Sequence, residues 1–403
     1  MFVKRLLPAF VAIGSVAAQS SSSCSAKTTN INSQEDVSKI AGCRKVEGSI
    51  ILGSESGAVI DLTGPREITG DLIIRNNGQL ETLQSSSLET IGGRFEINNA
   101  TSLNVILLEK LTEANVVEWV SVTRLDTLNL GPLTKAKSVR LSDTFLNNLD
   151  GFALTTVTDL KLDNNRRLSK YTSDLTSLDG ELVIQANGLS LEVDLPKLVW
   201  ITEMAIANVT KFSIPELQVV NGSARFDSNF FDTFSAPNLT HTEKGDISFV
   251  GNGFLQNMTF PKLTAINGGL LIANNTGLDR VTFFPKLEKV TGAIKLRGNF
   301  TEISFPALEN VEGAVDISST ADIRKSCDKL AESAPRNQGG DGTIAGVFTC
   351  TANNDKANED TDGSTSGSGQ VDGSDDEDNG ASGVVLNAAL FGLVAVAAVA
   401  SAL

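Results

Sequence analysis

The sequence predicts an all-β protein folded as a parallel β-solenoid with disulfide-stapled caps, and three observations support this prediction. Between residues 245 and 316 one unit is repeated three times, and its glycines fall at 245, 269, 292 and 313, at intervals of 24, 23 and 21 residues. Short apolar runs within the unit, such as 270–272 and 293–296, alternate as strands do. Proline recurs at one place in the unit, at 196, 215, 237, 261, 285 and 306.

A single unit of this length cannot bury its apolar face, so successive coils must stack into a continuous core. The period of about 22–24 residues lies in the leucine-rich-repeat range rather than in that of helical arrays. Equivalent strands should lie side by side and parallel, about 4.8 Å apart. One buried column is predicted at Ile247, Leu271, Ile294 and Val315, and a second at Leu255, Leu278 and Ile303. A globular β protein with accidental spacing is the alternative, and six prolines in register disfavour it.

Residues 1–18 predict a secretory signal peptide that is cleaved before Gln19. A basic start at Lys4 and Arg5 precedes a short apolar run, and small residues occupy Val16 and Ala18 near the cleavage point. A membrane span is disfavoured because the run is too short. We therefore expect the mature chain to be extracellular or lumenal.

The four cysteines fall in two pairs at the borders of the repeats. Four cysteines allow three connectivities. Because a long solenoid holds its ends far apart, we expect only the local bonds, Cys24 to Cys43 and Cys327 to Cys350. These bonds would staple terminal caps at 19–44 and 321–352, which cover the end coils. Free or metal-binding thiols are the alternative, disfavoured by the lack of a C-x-x-C motif or a histidine partner.

Between the caps, residues 45–320 predict one solenoid of about 22–24-residue repeats. Glycines at 48, 70 and 93 continue the repeat upstream, at intervals of 22 and 23 residues. The stretch 101–176 is irregular but keeps the alternation of leucine and valine. A seam in this stretch would divide the solenoid into two lobes.

Seven N-x-[ST] sequons predict N-linked glycans on surface turns of a secreted chain. They begin at Asn99, Asn208, Asn221, Asn238, Asn257, Asn274 and Asn299. Six of them lie in the second half of the repeats, which indicates a heavily glycosylated surface there. Asparagine also tolerates the left-handed turn conformation, so part of this pattern is structural.

Residues 353–383 predict a flexible acidic spacer, because they are rich in Ser, Gly, Asp and Asn and contain almost no large apolar residue. The spacer carries nine acidic residues and one lysine, a net charge of −8 out of −15 for the whole chain. The acidity of the chain therefore belongs largely to the spacer, which argues against a nucleic-acid partner.

Residues 384–403 predict a GPI-signal propeptide that is removed when the lipid is attached. The tail is apolar and ends without a charged stop-transfer segment, and small residues precede it. We expect attachment at Asn379 or Gly380, although the polar spacer after them is shorter than the usual ~8–12 residues. A tail-anchored helix is the alternative, disfavoured by the lack of a basic cytoplasmic residue. The predicted partner is the plasma membrane, through the GPI lipid.

The sequence predicts no catalytic, cofactor-binding or metal-binding residues. The single histidine, His241, has no triad or ligand set nearby in sequence. A polysaccharide-modifying β-helix would need paired carboxylates or a calcium and Arg/Lys cluster on one sheet face. Asp163, Asp227, Asp246 and Asp316 occupy different phases of the repeat and form no evident ladder. Asparagines 164–165, 252 and 274–275 share a phase, as asparagine ladders at solenoid corners do.

The pattern G-x-L-x-I-x-x-N-x-x-L-x-x-[IV] occurs with few substitutions at 70–83 and 269–281. It resembles the receptor L-domain, the leucine-rich-like β-helix of insulin and growth-factor receptor ectodomains. With its signal, local cysteine pairs, spacer and GPI signal, the whole chain is similar to the fungal GPI-anchored cell-wall organisation proteins of the extracellular-matrix and sporulation-specific family. The resemblance implies a role in wall integrity outside the plasma membrane.

Two classes of function follow from these features. The first is a non-enzymatic wall glycoprotein whose solenoid presents a surface to wall polysaccharide or wall mannoproteins. The second is a polysaccharide-modifying β-helix enzyme that acts on wall glycans. Aromatic side chains other than phenylalanine are scarce, at two Trp and one Tyr, which counts against sugar binding by aromatic stacking.

Overall fold

The computed structural model describes residues 23–359. The chain separates into two compact units, Met1–Leu168 and Ser169–Leu403. The predicted fold class is confirmed, since each unit is a solenoid of parallel strands. The coils of both units repeat with the predicted period of about 22–24 residues.

Unit 1 contains β1 (Thr28–Ile31), α1 (Gln34–Ser38), β2 (Lys45–Val46), β3 (Ser49–Leu52), β4 (Val59–Asp61), β5 (Glu67–Ile68), β6 (Leu72–Arg75), β7 (Thr82–Gln84), β8 (Thr90–Asn98), β9 (Val105–Leu108), β10 (Glu113–Val122), β11 (Thr127–Leu130), β12 (Ser138–Thr144), β13 (Thr156–Val157) and β14 (Asp159–Asp163). Its main sheet has the order β1-β3-β6-β8-β10-β12-β14. A second sheet has the order β4-β7-β9-β11.

Unit 2 contains β15 (Lys170–Thr172), β16 (Ser177–Gln185), β17 (Glu192–Asp194), β18 (Trp200–Ala207), β19 (Lys211–Ser213), β20 (Val219–Val220), β21 (Ala224–Asp227), β22 (Thr233–Ser235), β23 (His241–Thr242), β24 (Ile247–Val250), β25 (Asn257–Thr259), β26 (Ala265–Ile266), β27 (Leu270–Ala273), β28 (Arg280–Val281), β29 (Lys289–Val290), β30 (Ile294–Gly298), β31 (Glu302–Ile303), β32 (Asn310–Val311), β33 (Val315–Ser319), α2 (Arg324–Ala331), a 3₁₀ turn (Arg336–Gln338) and β34 (Phe348–Thr351). Its main sheet has the order β16-β18-β21-β24-β27-β30-β33-β34.

A column of glycines sets the register of the coils in unit 2. A Cβ on Gly268 would lie 2.5 Å from the carbonyl carbon of Gly245, and one on Gly292 would lie 2.6 Å from that of Gly268. Gly313 stacks on Gly292 in the same way. These separations are too short for any side chain, so only glycine allows the backbones of adjacent coils to meet there.

This glycine column corrects the predicted alignment by one residue. The glycine equivalent to Gly245 is Gly268, and Gly269 is the residue after it. Ile247 therefore pairs with Leu270, which is buried, and Leu271 points outward. Side chains alternate between the two faces of a strand, so a slip of one residue exchanges them.

The second predicted column is wrong at its last member. Leu255 and Leu278 occupy equivalent buried positions, each three residues after a buried asparagine whose carbonyl accepts a hydrogen bond from its amide. Ile303 instead stacks on Val281 in the neighbouring sheet.

Buried asparagines form a hydrogen-bonded ladder at the corner after the main-sheet strands of unit 2. Asn252 donates from Nδ2 to the carbonyl of Phe226 at 2.9 Å and to Oδ1 of Asn275 at 2.9 Å. Its own Oδ1 accepts the backbone amide of Asn229 at 2.9 Å. The ladder satisfies backbone groups that the corner turns away from the sheets, where no water reaches them.

The recurring prolines lie in turns on the opposite side of each coil. Residues 260, 284 and 305 are phenylalanines that precede the proline, and their carbonyls accept the amide three residues later. Their rings stack between coils, with centroids 5.1 Å apart for Phe260 and Phe284 and 5.9 Å apart for Phe284 and Phe305. Most of the phenylalanine in this region therefore serves the core.

Disulfides join Cys24 to Cys43 and Cys327 to Cys350, as the sequence predicts. Cys327 lies on α2, and Cys350 lies on β34, which pairs with the last coil strand, β33. At the other end β1 already pairs with β3, so the ladder of unit 1 starts inside the segment that we expected to be a cap.

The asparagine ladder leads to a first prediction. Replacing Asn252 with alanine leaves the amide of Asn229 and the carbonyl of Phe226 without a partner in the core. The free energy of unfolding should fall by about 1–3 kcal/mol, measured by chemical denaturation.

The matched control is Asn310→Ala, because Asn310 is an exposed asparagine on β32. Its effect should stay within about 0.5 kcal/mol. Equal effects of the two substitutions would show that the ladder adds nothing beyond local strand propensity.

Candidate functional surface

Four of the predicted glycan acceptors lie at the corner that follows a main-sheet strand, and three of the four share one backbone conformation. Asn99, Asn208 and Asn274 each have a left-handed backbone, with φ of 53°, 60° and 52°. Asparagine occupies this conformation more readily than most residues. The sequence pattern therefore has the structural component that we expected at these positions.

The fourth acceptor at this corner is Asn299, and the other three lie elsewhere in the coil. Asn221 precedes β21, Asn238 lies in a proline turn, Asn257 begins β25, and Asn299 follows β30. Oδ1 of Asn299 accepts hydrogen bonds from Thr320 Oγ1 at 3.0 Å and from Asn358 Nδ2 at 2.8 Å. Glycan occupancy at all seven positions stays a prediction.

The outward face of the main sheet in unit 1 carries an ion-pair ladder. Arg75 binds Glu96 through two nitrogens, at 2.5 and 2.7 Å. Arg94 bridges the next coil to Glu118 at 3.0 Å. Arg140 lies 3.9 Å from Glu118 and 3.9 Å from an oxygen of Asp163. The charges on this face are largely paired with one another, so an ionic ligand would have to break these pairs.

The strongest pair in this ladder is at Glu96, whose side chain is almost fully covered. The hydrogen bonds from Arg75 lower the pKa of Glu96 despite its burial. Arg75 remains more than half exposed, so solvent screening limits the contribution of the pair to stability.

Our sequence analysis missed this ladder. Glu96, Glu118 and Arg140 recur at intervals of 22 residues at the centre of main-sheet strands. A search for charged residues at the repeat period would have found them. Their partners, Arg75 and Arg94, lie elsewhere in the repeat and depend on the register of the coils.

The outward face of the main sheet in unit 2 differs in character. Many of its side chains are small or apolar and partly exposed, including Val183, Ala205, Ala207, Val250 and Leu271. We call this set the apolar face. Parallel strands bring these side chains side by side across adjacent coils, and the exposed Arg225 interrupts them between Ala205 and Ser248.

Asp227 lies within the apolar face, between Ala207 and Val250 on the neighbouring strands. Burial against these side chains raises the pKa of Asp227, and Arg225 partly offsets the shift. A carboxyl with a raised pKa is a candidate catalytic acid or base. We therefore examined whether the surroundings of Asp227 could support catalysis.

Asp246 is the second carboxyl with a raised pKa, again because of burial. Its Oδ1 accepts the amide of Gly269 at 2.6 Å, and its own amide donates to Ser223 Oγ at 3.3 Å. These bonds join Asp246 to the coils on both sides of it. The two hydrogen bonds indicate that the Asp246 carboxyl is buried because it links neighbouring coils.

The two carboxyls do not form the pair that glycoside hydrolysis requires. Asp246 is level with Ser223, four residues before Asp227, because Ala224 pairs with Ile247. Four residues of strand span about 13 Å. Glycosidase carboxylates lie about 5–9.5 Å apart.

The remaining candidates are held by their neighbours. Asp163 accepts hydrogen bonds from Ser142 Oγ and from Asn164 Nδ2. The imidazole of His241 contacts Thr240 Oγ1 at 2.8 Å and Glu243 Oε1 at 2.9 Å. Within residues 23–359, no group of three or more His, Cys, Asp or Glu residues could hold a metal ion.

The signal peptide, the attachment residues Asn379 and Gly380, and the predicted propeptide lie outside the described residues. In the part of the chain that is described, no helix is long and apolar enough to cross a membrane. The position of the GPI lipid therefore stays a prediction.

Comparison with known proteins shows similarity to fungal cell-surface proteins. Residues 1–41 match a family model described as "Ecm33: GPI-anchored cell wall organization protein". The chain is 31% identical over 372 residues to Protein ecm33 of Aspergillus fumigatus, an alignment that covers 91% of each chain.

Two yeast proteins are also similar. Sporulation-specific protein 2 of Saccharomyces cerevisiae is 33% identical over 285 residues, covering 70% of this chain and 56% of that protein. Cell surface GPI-anchored protein ECM33 of Candida albicans is 31% identical over 226 residues, covering 55% of each chain. No solved structure matches, and the resemblance to receptor L-domains stays a prediction.

The raised pKa of Asp227 leads to a second prediction. The folded state binds a proton at Asp227 more readily than the unfolded chain does, so stability should fall as pH rises from the ordinary value of 3.8 through the raised pKa. Asp227→Asn removes the buried charge. The variant should melt at a higher temperature than the wild type at pH 7 and at the same temperature at pH 3.

The control is Asp150→Asn, because Asp150 is an exposed aspartate in unit 1. Thermal unfolding of all three proteins across this pH range tests the assignment. A variant at position 227 that is less stable than the wild type at pH 7 would contradict it.

Proposed function

The chain belongs to the Ecm33 family of GPI-anchored cell wall organization proteins, and from this premise we propose that it is a non-enzymatic surface glycoprotein required for wall integrity. Its role is in the organisation of the fungal cell wall. It is located at the extracellular face of the plasma membrane and in the cell wall. Its solenoid presents a surface for wall polysaccharide or wall mannoproteins.

The observation that carries the proposal is the apolar face of unit 2. Small and apolar side chains, partly exposed, cover much of this sheet surface, and the exposed Arg225 lies among them. Positive charge flanks it at Lys295, and at Arg297, which is paired with Asp316. A broad surface of this kind suits an extended polymer or a second protein better than a small substrate, which needs a concave site.

The anchor of this function is a GPI lipid attached at Asn379 or Gly380, after removal of residues 384–403. The lipid makes the plasma membrane the first partner of the protein. The acidic spacer then separates the solenoid from the membrane and lets it reach into the wall.

The alternative is a polysaccharide-modifying enzyme, and Asp227 and Asp246 are the residues that favour it. Both carboxyls have a raised pKa, as catalytic acids often do. Their offset of four residues along the strands and the structural bonds of Asp246 support the non-enzymatic function instead.

Complementation of a deletion strain tests the two functions against each other. The single substitutions Asp163→Asn, Asp227→Asn, His241→Gln and Asp246→Asn should each rescue resistance to wall-perturbing dyes. We assign none of these side chains to chemistry. Rescue is measured at matched surface abundance of each variant.

The companion variant is Ile272→Asp, because Ile272 is fully buried between Phe249 and Leu296 of the adjacent coils. An unpaired carboxylate there costs several kcal/mol, and unfolding can spread to neighbouring coils, so rescue should be lost. Loss of rescue by a carboxylate variant that remains folded would favour the enzyme.

Release from membranes tests the anchor. If a lipid replaces the tail after Asn379 or Gly380, phosphatidylinositol-specific phospholipase should shed the protein from intact membranes. The double substitution of Asn379 and Gly380 with bulky residues should abolish surface display. Detection of residues 384–403 in the mature protein by mass spectrometry would contradict the anchor.

A further inference from the structure

An exposed aromatic ring and a half-buried one lie together at one corner of unit 2. The side chain of Phe254 is 62% exposed, and Phe230 on the previous coil packs edge-on against it, with centroids 6.4 Å apart. Most phenylalanines of this unit are buried in the core. The two rings together form a small apolar patch at the surface, which a partner or a ligand can cover. We call this pair the corner rings.

Predicted glycan acceptors lie on the coils on both sides of the corner rings. Ala207 pairs with Asp227, so Asn208 lies beside Ser228, two residues before Phe230. Val250 pairs with Ala273, so Asn274 lies beside Gly251, three residues before Phe254. The coils that carry the rings have no sequon at this corner themselves.

The amide of Asn208 is directed toward the rings. Its Oδ1 accepts the backbone amide of Ala186 on the preceding coil at 3.2 Å. Its Nδ2 donates to the carbonyl of Ser228 on the following coil at 3.3 Å. The nitrogen that would carry a sugar therefore lies on the side of the coil that bears Phe230.

A sugar linked to this nitrogen suits the corner rings chemically. A pyranose has one face made of C–H groups, and the faces of aromatic rings attract such weakly positive hydrogens. Adjacent coils are only about 4.8 Å apart, so the first sugar on Asn208 reaches the next coil.

We infer that the first sugar of a glycan on Asn208 packs over Phe230 and Phe254 and covers them. The inference rests on the proposed function, because it requires passage through the secretory pathway. The corner rings are then part of the folded glycoprotein rather than a site for an external ligand. The occupant is the chain's own glycan.

Asn274 does not share this geometry. It lies on the coil after Phe254, whereas the Asn208 side chain is itself hydrogen-bonded to the coil that carries Phe230. We therefore assign the glycan that covers the corner rings to Asn208.

The test uses the full chain secreted from a fungal host and hydroxyl-radical footprinting read by mass spectrometry. Thr210→Ala removes the sequon of Asn208 but keeps the asparagine. The matched control is Thr301→Ala, which removes the sequon of Asn299. Each threonine hydroxyl donates one 3.0 Å hydrogen bond to a carbonyl of the preceding coil, so the two variants lose equal local contacts.

The oxidation rates of Phe230 and Phe254 should rise severalfold in Thr210→Ala and remain at the wild-type value in Thr301→Ala. Wild-type protein trimmed by endoglycosidase H keeps only the first sugar, and its rings should remain protected. This second measurement requires no substitution, so it holds even if Thr210→Ala folds poorly.

Four results would overturn the inference. The glycopeptide could show Asn208 unmodified, or trimming to one sugar could expose the rings. Protection in Thr210→Ala would indicate a second copy or another partner as the cover, and reactive rings in every form would mean that nothing covers them. The proposed wall function is tested by a separate measurement, the rescue of the deletion strain. Thr210→Ala should still give this rescue, so failure of the wall function and failure of this inference can be told apart.

Discussion

The structure depends on the close approach of backbones between stacked coils. Parallel strands of adjacent coils hydrogen-bond to each other, and the coils can meet at their tightest point only where glycine stacks on glycine, as Gly268 does on Gly245. The buried asparagines maintain the same contact at the corner, where regular strand pairing stops. These glycines and asparagines set the register of the coils, and the register decides which residues of adjacent coils lie side by side.

The same register decides the character of each surface. Because equivalent positions stack about 4.8 Å apart, one residue type repeated at one position becomes a column. In unit 1 Glu96 and Glu118 stack at one position, and arginines from other positions pair with them in the ion-pair ladder from Arg75 to Asp163. In unit 2 small and apolar residues dominate the surface, and Asp227 is half-buried among them beside the exposed Arg225.

Burial within a structural face also explains why a raised pKa is a poor guide to catalysis in this molecule. Asp227 is desolvated by Ala207 and Val250, and Asp246 is enclosed by its bonds to Gly269 and Ser223. The two carboxyls are offset by four residues along neighbouring strands, which is farther than the spacing that hydrolysis of a glycosidic bond requires. Burial therefore accounts for the raised pKa of both carboxyls without a role in chemistry.

The sequence by itself determined the solenoid, because period, strand alternation and turn residues are local properties that every coil repeats. It also identified the disulfide pairs, since only neighbouring cysteines can meet in a solenoid. Only the tertiary structure decided which residue of one coil lies beside which residue of the next coil. Coils vary in length, so the choice between Gly268 and Gly269 moved Leu271 from core to surface. The burial of Asp227 and the partners of Glu96 depend on residues about one coil away in the sequence. The backbone contacts between coils set the alignment of those residues, and the order of residues along the chain does not.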